Sequence, residues 1–335
     1  MEPNQAMDAG AMQTFDDARA QMNQLLRGQM SETAMADWLT SLHQRGETAV
    51  ELAGFADAMR AAAVTLPLAD TERTLLVDTC GTGGDGSGTF NISTAVALLA
   101  CAAGVRIAKH GNRAVTSRCG SADVLAALGV RTDHTPDSAV AALRRDNFVF
   151  LLATSMHPAM RVVAHVRRTL PFRTVFNLLG PMTNPAGARR QVLGVYSAAA
   201  VPLVAQALAL GGHVDHALVV HGAGGLDELS LRGESVVAEV RRGDVRQYAV
   251  RPRDAGLAES DDALAGGDAL QNAAILQAIF AGEHGPRRDV VLLNAAAVLM
   301  VVGRADNLQQ GVHLAARAID TGAVTAMLER IRTDG

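Results

Sequence analysis

The stretch GTGGDGSGTFNIST at 81–94 concentrates the residues best suited to chemistry: five glycines between Gly81 and Gly88, among them Gly84, then Asp85, Thr89, Asn91, Ser93 and Thr94 where an apolar helical segment begins. Glycine-rich backbone running into a helix N-terminus presents a row of N–H donors, a fit for phosphate or pyrophosphate. Gly81, Gly83 and Gly86 also satisfy GxGxxG. A dinucleotide fold, however, wants an acid at the end of the next strand to hold the ribose hydroxyls, and here that strand, VRIAKHGN, ends in Lys109 and His110. No GK[ST] follows the glycines, so this is not a Walker A loop. An anion cradle remains, weighed against a plain glycine-rich turn with a Ser/Thr cap. Lys109, the single lysine among thirty basic residues, adds a compact positive charge from the neighbouring strand end.

Three further clusters carry chemistry. Asn112, Arg113, Thr116, Ser117, Arg118 and Ser121 form a polar loop leading into another helix start; it could close over a phosphorylated substrate, or be a solvated connection. In HGAGGLDELSL (221–231), Asp227 and Glu228 follow a strand and a glycine turn. Two carboxylates beside a phosphate site would repel the ligand unless a divalent cation lay between them, and Mg²⁺ binds one or two carboxylates together with substrate phosphates. In the helical segment at 158–170, Met160, Val163, Arg167 and Leu170 share a stripe, which turns Arg167 inward and places Arg161 and Arg168 opposite. An inward Arg needs an anion, either a structural carboxylate or that of a substrate. His157 precedes Pro158 at the start of that helix and reads as a cap-region histidine.

These groups need a scaffold. The first seventy residues predict helices: Phe15, Ala18, Met22, Leu25 and Leu26 recur at helical spacing up to Gly28, Ser31 caps a second helix, and Thr48 with Glu51 reads as a capping box. After Asp70, short runs rich in Val, Leu and Ile at 75–80, 105–108, 148–153, 191–196 and 216–222 alternate with helical segments, predicting a largely parallel sheet covered by helices. Residues 236–250 read as a hairpin turning at Gly243, and the chain ends in helices. The reading is therefore an α/β fold: a helical domain over 1–70, completed by an insertion near 158–186 that ends in turn-rich NLLGPMTNP, and an α/β domain over 71–335 less that insertion. Residues 1–13 are expected to be disordered.

Composition narrows the function classes. The net charge is −4 with no basic block, which argues against bulk binding to nucleic acid. The longest apolar runs are too short to span a bilayer, and three cysteines without a CxxC fit a reduced, cytoplasmic protein. No signal peptide is visible at the start.

Taken together, GTGGDGSGTFNIST (81–94), KHGNRAVTSRCGSADVLAALG (109–129), HPAM (157–160), VRRTLPFRTVFNLLGPMTNPA (166–186) and HGAGGLDELSL (221–231), in this order and spacing, resemble the anthranilate phosphoribosyltransferases of tryptophan biosynthesis from about residue 15 onward. The resemblance implies a homodimer of the fold shared with pyrimidine nucleoside phosphorylases, with the active site between a helical and an α/β domain. It implies Mg²⁺-dependent transfer of the phosphoribosyl group of 5-phosphoribosyl pyrophosphate (PRPP) to the amine of anthranilate. By position it assigns Gly81, Gly84, Asp85, Thr89, Asn91, Ser93, Thr94, Lys109 and Ser121 to PRPP, and Ser93, Asp227 and Glu228 to metal. It assigns Gly81, Asn112 and Arg167 to anthranilate, with His110 and His157 along the anthranilate path as catalytic candidates. The family pattern usually has Ala-Pro where this chain has Ala153-Thr154. A nucleoside phosphorylase, a non-catalytic nucleic-acid-binding relative and a Rossmann dehydrogenase are the alternatives; Asn112 with Arg167, the acidic charge, and Lys109 in place of an acid argue against them in turn.

Overall fold

The structure is a computed structural model that describes residues 12–114, 118–261 and 264–332. Thr116 and Ser117 of the polar loop, and most of the N-terminal extension, lie outside the described residues. Gln13 is described, and its backbone N–H donates to Glu51 Oε1 at 3.3 Å, so the last residue of the expected disordered extension is tied down.

The N-terminal helices are α1 (Phe15–Leu26), α2 (Glu32–Arg45) and α3 (Ala49–Ala61), followed by a single turn, α4 (Asp70–Arg73). Their starts follow local chemistry: Thr14, Ser31 and Thr48 accept from backbone N–H groups three residues on, and Glu51 completes a capping box with Thr48. Gly28, at φ 68°, is left-handed just beyond α1. Helices α1 and α3 cross closely because Gly54 has no side chain; a Cβ there would sit 2.5 Å from the Phe15 carbonyl oxygen.

The α/β part contains β1 (Leu76–Gly81), α5 (Ile92–Ala102), β2 (Arg106–Gly111), α6 (Ser121–Ala127), α7 (Pro136–Asp146), β3 (Phe148–Leu152), a turn of helix α8 (Ala153–Met156), α9 (Arg161–Thr169), α10 (Phe176–Met182) and β4 (Arg190–Gly194). It continues through α11 (Ala200–Gly211), β5 (His216–His221), β6 (Ser235–Arg241), β7 (Asp244–Val250), α12 (Ala269–Phe280), α13 (Pro286–Val301), α14 (Leu308–Asp320) and α15 (Ala323–Ile331). The sheet has seven strands in the order β3-β2-β1-β4-β5-β6-β7. The first five are parallel, and β6 and β7 add an antiparallel hairpin that turns at Arg242 and Gly243, both with positive φ. The sheet is thus mainly parallel, as the alternating apolar runs require.

Alternate residues of each strand enter different cores. Phe148, Phe150, Val192, Leu218 and Val220 pack under α5 and α13–α15, whereas Leu193, Ala217 and Val219 pack against α11 and the N-terminal helices. Val149 and Leu151 face α7 in a smaller third cluster. Helix α9 packs on α1 and α2, and α10 on α3. Residues 177–185 differ from the turn-rich reading: most of them continue α10, with Pro181 inside its last turn, because Phe176, Leu178, Leu179 and Met182 bury themselves on one side. No helix among the described residues is long and apolar enough to cross a membrane.

Candidate active site

Strand β1 connects to β2 on one side and pairs with β4 on the other, so the chain reverses direction across the sheet at the carboxyl end of β1. In open parallel sheets that is where ligands bind. The glycine-rich loop leaves the sheet there, and Gly83, Gly84, Gly86 and Gly88 have φ of 65°, 71°, 74° and 64°. A Cβ at Gly83, Gly86 or Gly88 would meet nothing within 4 Å, so left-handed backbone, not crowding, is what requires glycine there. The loop is closed by backbone bonds to the far end of the chain, Phe90 N–H to Leu264 O at 3.0 Å and Gly266 N–H to Gly88 O at 2.9 Å, beside the bridge between Thr89 and Ala265. Asn91 precedes α5 without capping it. Its side chain instead joins Cys119 O, at 3.3 Å, and Asn272 Nδ2, at 2.8 Å.

Asp227 and Glu228 are pressed against the same strand ends. A Cβ on Gly194 would lie 1.5 Å from the Asp227 carbonyl oxygen, one on Gly81 2.5 Å from Asp227 Oδ2, and one on Gly222 2.3 Å from the Glu228 carbonyl oxygen. Three strand-end glycines therefore admit this loop. Asp227 Oδ2 accepts from Gly83 N–H at 2.9 Å, joining the acidic loop to the glycine loop, and the Asp227 N–H lies 3.4 Å from Asp85 Oδ2. Burial, and next the Asp85 charge, push the Asp227 carboxyl up to about 7; burial and Asp227 push Glu228 well above the carboxylate range. No cluster of three or more His, Cys, Asp or Glu suited to holding a metal occurs among the described residues. Asp227 and Glu228, with the Ser93 hydroxyl, are instead a two-carboxylate, all-oxygen donor set whose mutual repulsion a divalent cation would relieve. This fits Mg²⁺ completed by substrate phosphate better than an all-protein cage.

Lys109 does not project from the strand end. It is 1% exposed, with Nζ donating to the Thr79 carbonyl and lying 3.2 Å from Ser93 Oγ, beneath the start of α5. Burial lowers its pKa, and Asp78, Cys80, Glu228 and Asp227 oppose that shift. Behind it, buried Asp78 accepts from His110 N–H at 3.0 Å and Asn184 Nδ2 at 2.8 Å, fixing β1, β2 and the chain after α10 together. Thr94 is fully buried and its hydroxyl has no hydrogen-bond partner among the described residues.

The other half of the site is a cleft of about 580 Å³ between the strand ends and α8–α10. Gly81, His110, Asn112, Thr154, His157, Arg161 and Arg167 line it. The buried edge of α9 is Val163 and Val166, with Arg167 half-buried beside it and its guanidinium 5.1 Å from the centroid of Phe176. Burial alone lowers the Arg167 pKa, and no carboxylate among the described residues pairs with it. Arg161 shares the cleft wall, contrary to the opposite-face placement from spacing, because the single turn at Pro158–Met160 starts α9 at the cleft. The His110 and His157 rings lie 5.1 Å apart. His110 Nδ1 is 3.2 Å from the Gly180 carbonyl and so must donate to it, and Nε2 of both rings lacks a partner among the described residues. Burial, followed by His157, drives the His110 pKa down to about 3, and burial lowers that of His157; both are neutral at pH 7. Asn112 sits at the mouth, in a loop folded back through Asp123, which accepts from Ala114 and Gly120 N–H groups at 2.8 and 2.9 Å. Ser121 opens α6 against Gly111.

The structure brings the residues predicted from sequence into two adjoining groups, and the side chains and glycine between them, Asp78, Asn184 and Gly194, were not singled out from the sequence. Gly194 had a signal, a glycine closing a strand directly after Val192 and Leu193. A hollow of about 620 Å³ beside the edge strand β3, between Arg131, Asp146 and Arg332, contains none of the motif residues, so size does not mark the site.

Comparison with known proteins finds two family matches along the chain. A family described as "Glycosyl transferase family, a/b domain" matches residues 73–325, and "Glycosyl transferase family, helical bundle domain" matches 9–63. The anthranilate phosphoribosyltransferase of Rubrobacter xylanophilus is 49% identical over 326 residues, 96% of this chain and 93% of its own. The crystal structure of the Thermus thermophilus anthranilate phosphoribosyltransferase superimposes with a TM-score of 0.90 at 44% identity, covering 97% of this chain and 98% of that one. The Saccharomyces cerevisiae enzyme in complex with PRPP and Mg gives 0.85 at 29% identity, covering 95% and 92%. From its fold, its site and these likenesses, the chain belongs to the anthranilate phosphoribosyltransferase family.

Proposed function

We propose that this chain transfers the phosphoribosyl group of PRPP to the amine of anthranilate, releasing pyrophosphate and N-(5-phosphoribosyl)anthranilate, as a step of tryptophan biosynthesis. The observation that carries the reading is the junction at the end of β1. A left-handed glycine loop stands on one side of Gly81, and on the other is a cleft walled by two neutral imidazoles and an arginine that no carboxylate among the described residues pairs with.

The polyanion belongs on the loop side. N–H groups of Gly84 and Asp85 and of the first turn of α5 would hold pyrophosphate, those of Thr82 and Gly83 being taken by Gly194 O and Asp227 Oδ2, aided by the hydroxyls of Thr89, Ser93 and Thr94, by Asn91 and by Ser121. Displacement at the anomeric carbon leaves positive charge on the ribose and places negative charge on the departing pyrophosphate. Lys109, buried and therefore poorly screened, stabilises that negative charge from below. Asp227, Glu228 and Ser93 would hold Mg²⁺, which when bound offsets charge on the pyrophosphate.

Anthranilate belongs in the cleft. Arg167 takes its carboxylate in a charge-assisted pair, Asn112 closes the mouth, and Nε2 of His110 or His157 accepts from the amine, orienting its lone pair. An aromatic amine is already neutral at pH 7, so no strong base is required, and neutral imidazoles suit the task. The helical segments at 1–70 and 158–186 supply this wall as one discontinuous domain, and the enzyme works as a cytoplasmic homodimer.

Anthranilate fluorescence tests the reading. It should fall when the protein is mixed with PRPP and Mg²⁺ and persist when a chelator or PRPP omission blocks the reaction. Phosphate-dependent cleavage of a pyrimidine nucleoside to base and ribose 1-phosphate instead would support the phosphorylase alternative.

A further inference from the structure

The segment between α9 and α10, residues 170–174, belongs to neither half of the site as so far described, yet three consecutive residues in it reach three different elements. Phe172 stacks on His43 of α2, with centroids 4.1 Å apart and planes 12° from parallel. Arg173 lies over Tyr196, just past β4, at 4.5 Å from the ring centroid, and donates from a guanidinium nitrogen to the Gly84 carbonyl. The Thr174 N–H donates to Asn177 Oδ1 at 3.0 Å, in α10. Tyr196 is itself tied to the glycine loop, its N–H donating to Thr82 Oγ1 at 3.1 Å. A Cβ on Gly84 would meet the Arg173 side chain at 3.5 Å, so guanidinium and loop are in direct contact. No carboxylate among the described residues pairs with Arg173.

A trans peptide points its C=O and the next N–H in opposite directions. By holding the Gly84 carbonyl, Arg173 turns the Asp85 N–H away from itself. At a left-handed glycine flanked by three others, nothing in the local backbone would otherwise fix that peptide plane. We propose that Arg173 is a positioning residue for phosphate binding: it fixes the donor direction of the glycine loop and couples the loop to the helical segment through Phe172 and His43. The inference rests on the PRPP reading above. It adds a second cation to the cradle besides Lys109, with one guanidinium N–H placed on the Gly84 carbonyl.

Two measurements on Arg173→Met and Arg173→Lys test it, methionine keeping bulk over Tyr196 and lysine keeping a donor. Amide exchange of residues 82–88, followed by mass spectrometry without any ligand, needs no enzyme activity. It should quicken in Arg173→Met and return toward wild type in Arg173→Lys, with the melting temperature unchanged. In turnover, Arg173→Met should raise the KM for PRPP about tenfold, the size of one charge-assisted hydrogen bond, with the KM for anthranilate within twofold. Unchanged loop exchange overturns the proposal whatever the kinetics. Faster exchange with an unchanged PRPP KM also overturns it, since the loop would then be held without consequence for phosphate. Failure of the wild type to consume anthranilate would strike the functional reading, while the exchange experiment would still decide whether Arg173 holds the loop.

Discussion

The two halves of the proposed site, one for phosphate and one for the acceptor, are built on opposite principles. The phosphate half is backbone: left-handed glycines, a helix start, and strand ends stripped of side chains so that Asp227 and Glu228 can approach. Its charges are dense and mutually opposed, with two carboxylates forced toward protonation and a buried lysine among them. The acceptor half is side chain: two imidazoles kept neutral by burial, with Arg161 and Arg167 on a helix packed against the N-terminal helices. A polyanion with a cation needs many fixed donors and tolerates little movement. A small aromatic acid needs one charge, a shaped wall and room to enter.

If the comparison is right, damage to one half should spare the other. Replacing both carboxylates, Asp227→Asn with Glu228→Gln, should lower Mg²⁺-dependent turnover by about a thousandfold or more while anthranilate still binds. An unchanged response to titrated Mg²⁺ would remove these residues from the site. Gly194→Ala should come next. Its Cβ would strike Asp227 backbone at 1.5 Å and no flexible atom can yield, so either the acidic loop moves or the protein loses about 3 kcal/mol or more on denaturation. Gly86→Ala has open space and meets only the cost of a left-handed backbone, about 1–2 kcal/mol. Equal losses for the two would break the packing argument. Lys109→Met should raise the PRPP KM by roughly tenfold to a hundredfold and leave that for anthranilate nearly unchanged.

The smallest effect is a pH dependence of stability. Asp227 keeps its proton up to about pH 7 in the folded protein, whereas an unfolded Asp releases it near 4. Its contribution is therefore complete below about pH 4 and is lost as pH rises through 7. His110 acts in the other direction. Its folded pKa of about 3 lies under the unfolded value near 6.5, so its contribution is present above 6.5 and is lost as pH falls toward 3. Between pH 6.5 and 8, without divalent cations, the carboxylate contribution changes more than that of His110. Asp227→Asn should flatten the fall in melting temperature over that interval by a few degrees. An identical slope in wild type and variant would place the titration elsewhere.

The same contrast explains what could be read in the sequence. The phosphate half is contiguous: glycine spacing, a cap-rich helix start and a lone lysine report on one another within thirty residues. The helix starts at Ser31 and Thr48 and the hairpin at Gly243 were legible for the same reason, since each is decided by neighbours. The depth of Lys109 was not, because it depends on Asp78 and on what α5 covers. Nor was the place of Arg161, which depends on how the turn at Pro158–Met160 aims α9. Residues 177–185 read as turns because Gly180 and Pro181 discourage a helix locally; burial of Phe176, Leu178 and Leu179 overrides them. Gly194 acts only through a loop thirty-three positions later.

The most direct test of separate halves is calorimetry on Arg167→Ala, titrating PRPP with Mg²⁺ in one experiment and anthranilate in another. The account predicts PRPP affinity within about twofold of wild type, and anthranilate affinity weaker by roughly thirtyfold or more, as expected when a carboxylate loses a charge-assisted pair. Equal weakening of both ligands would mean that Arg167 holds the cleft together and does not read the acceptor, and the division of the site into two halves would fail.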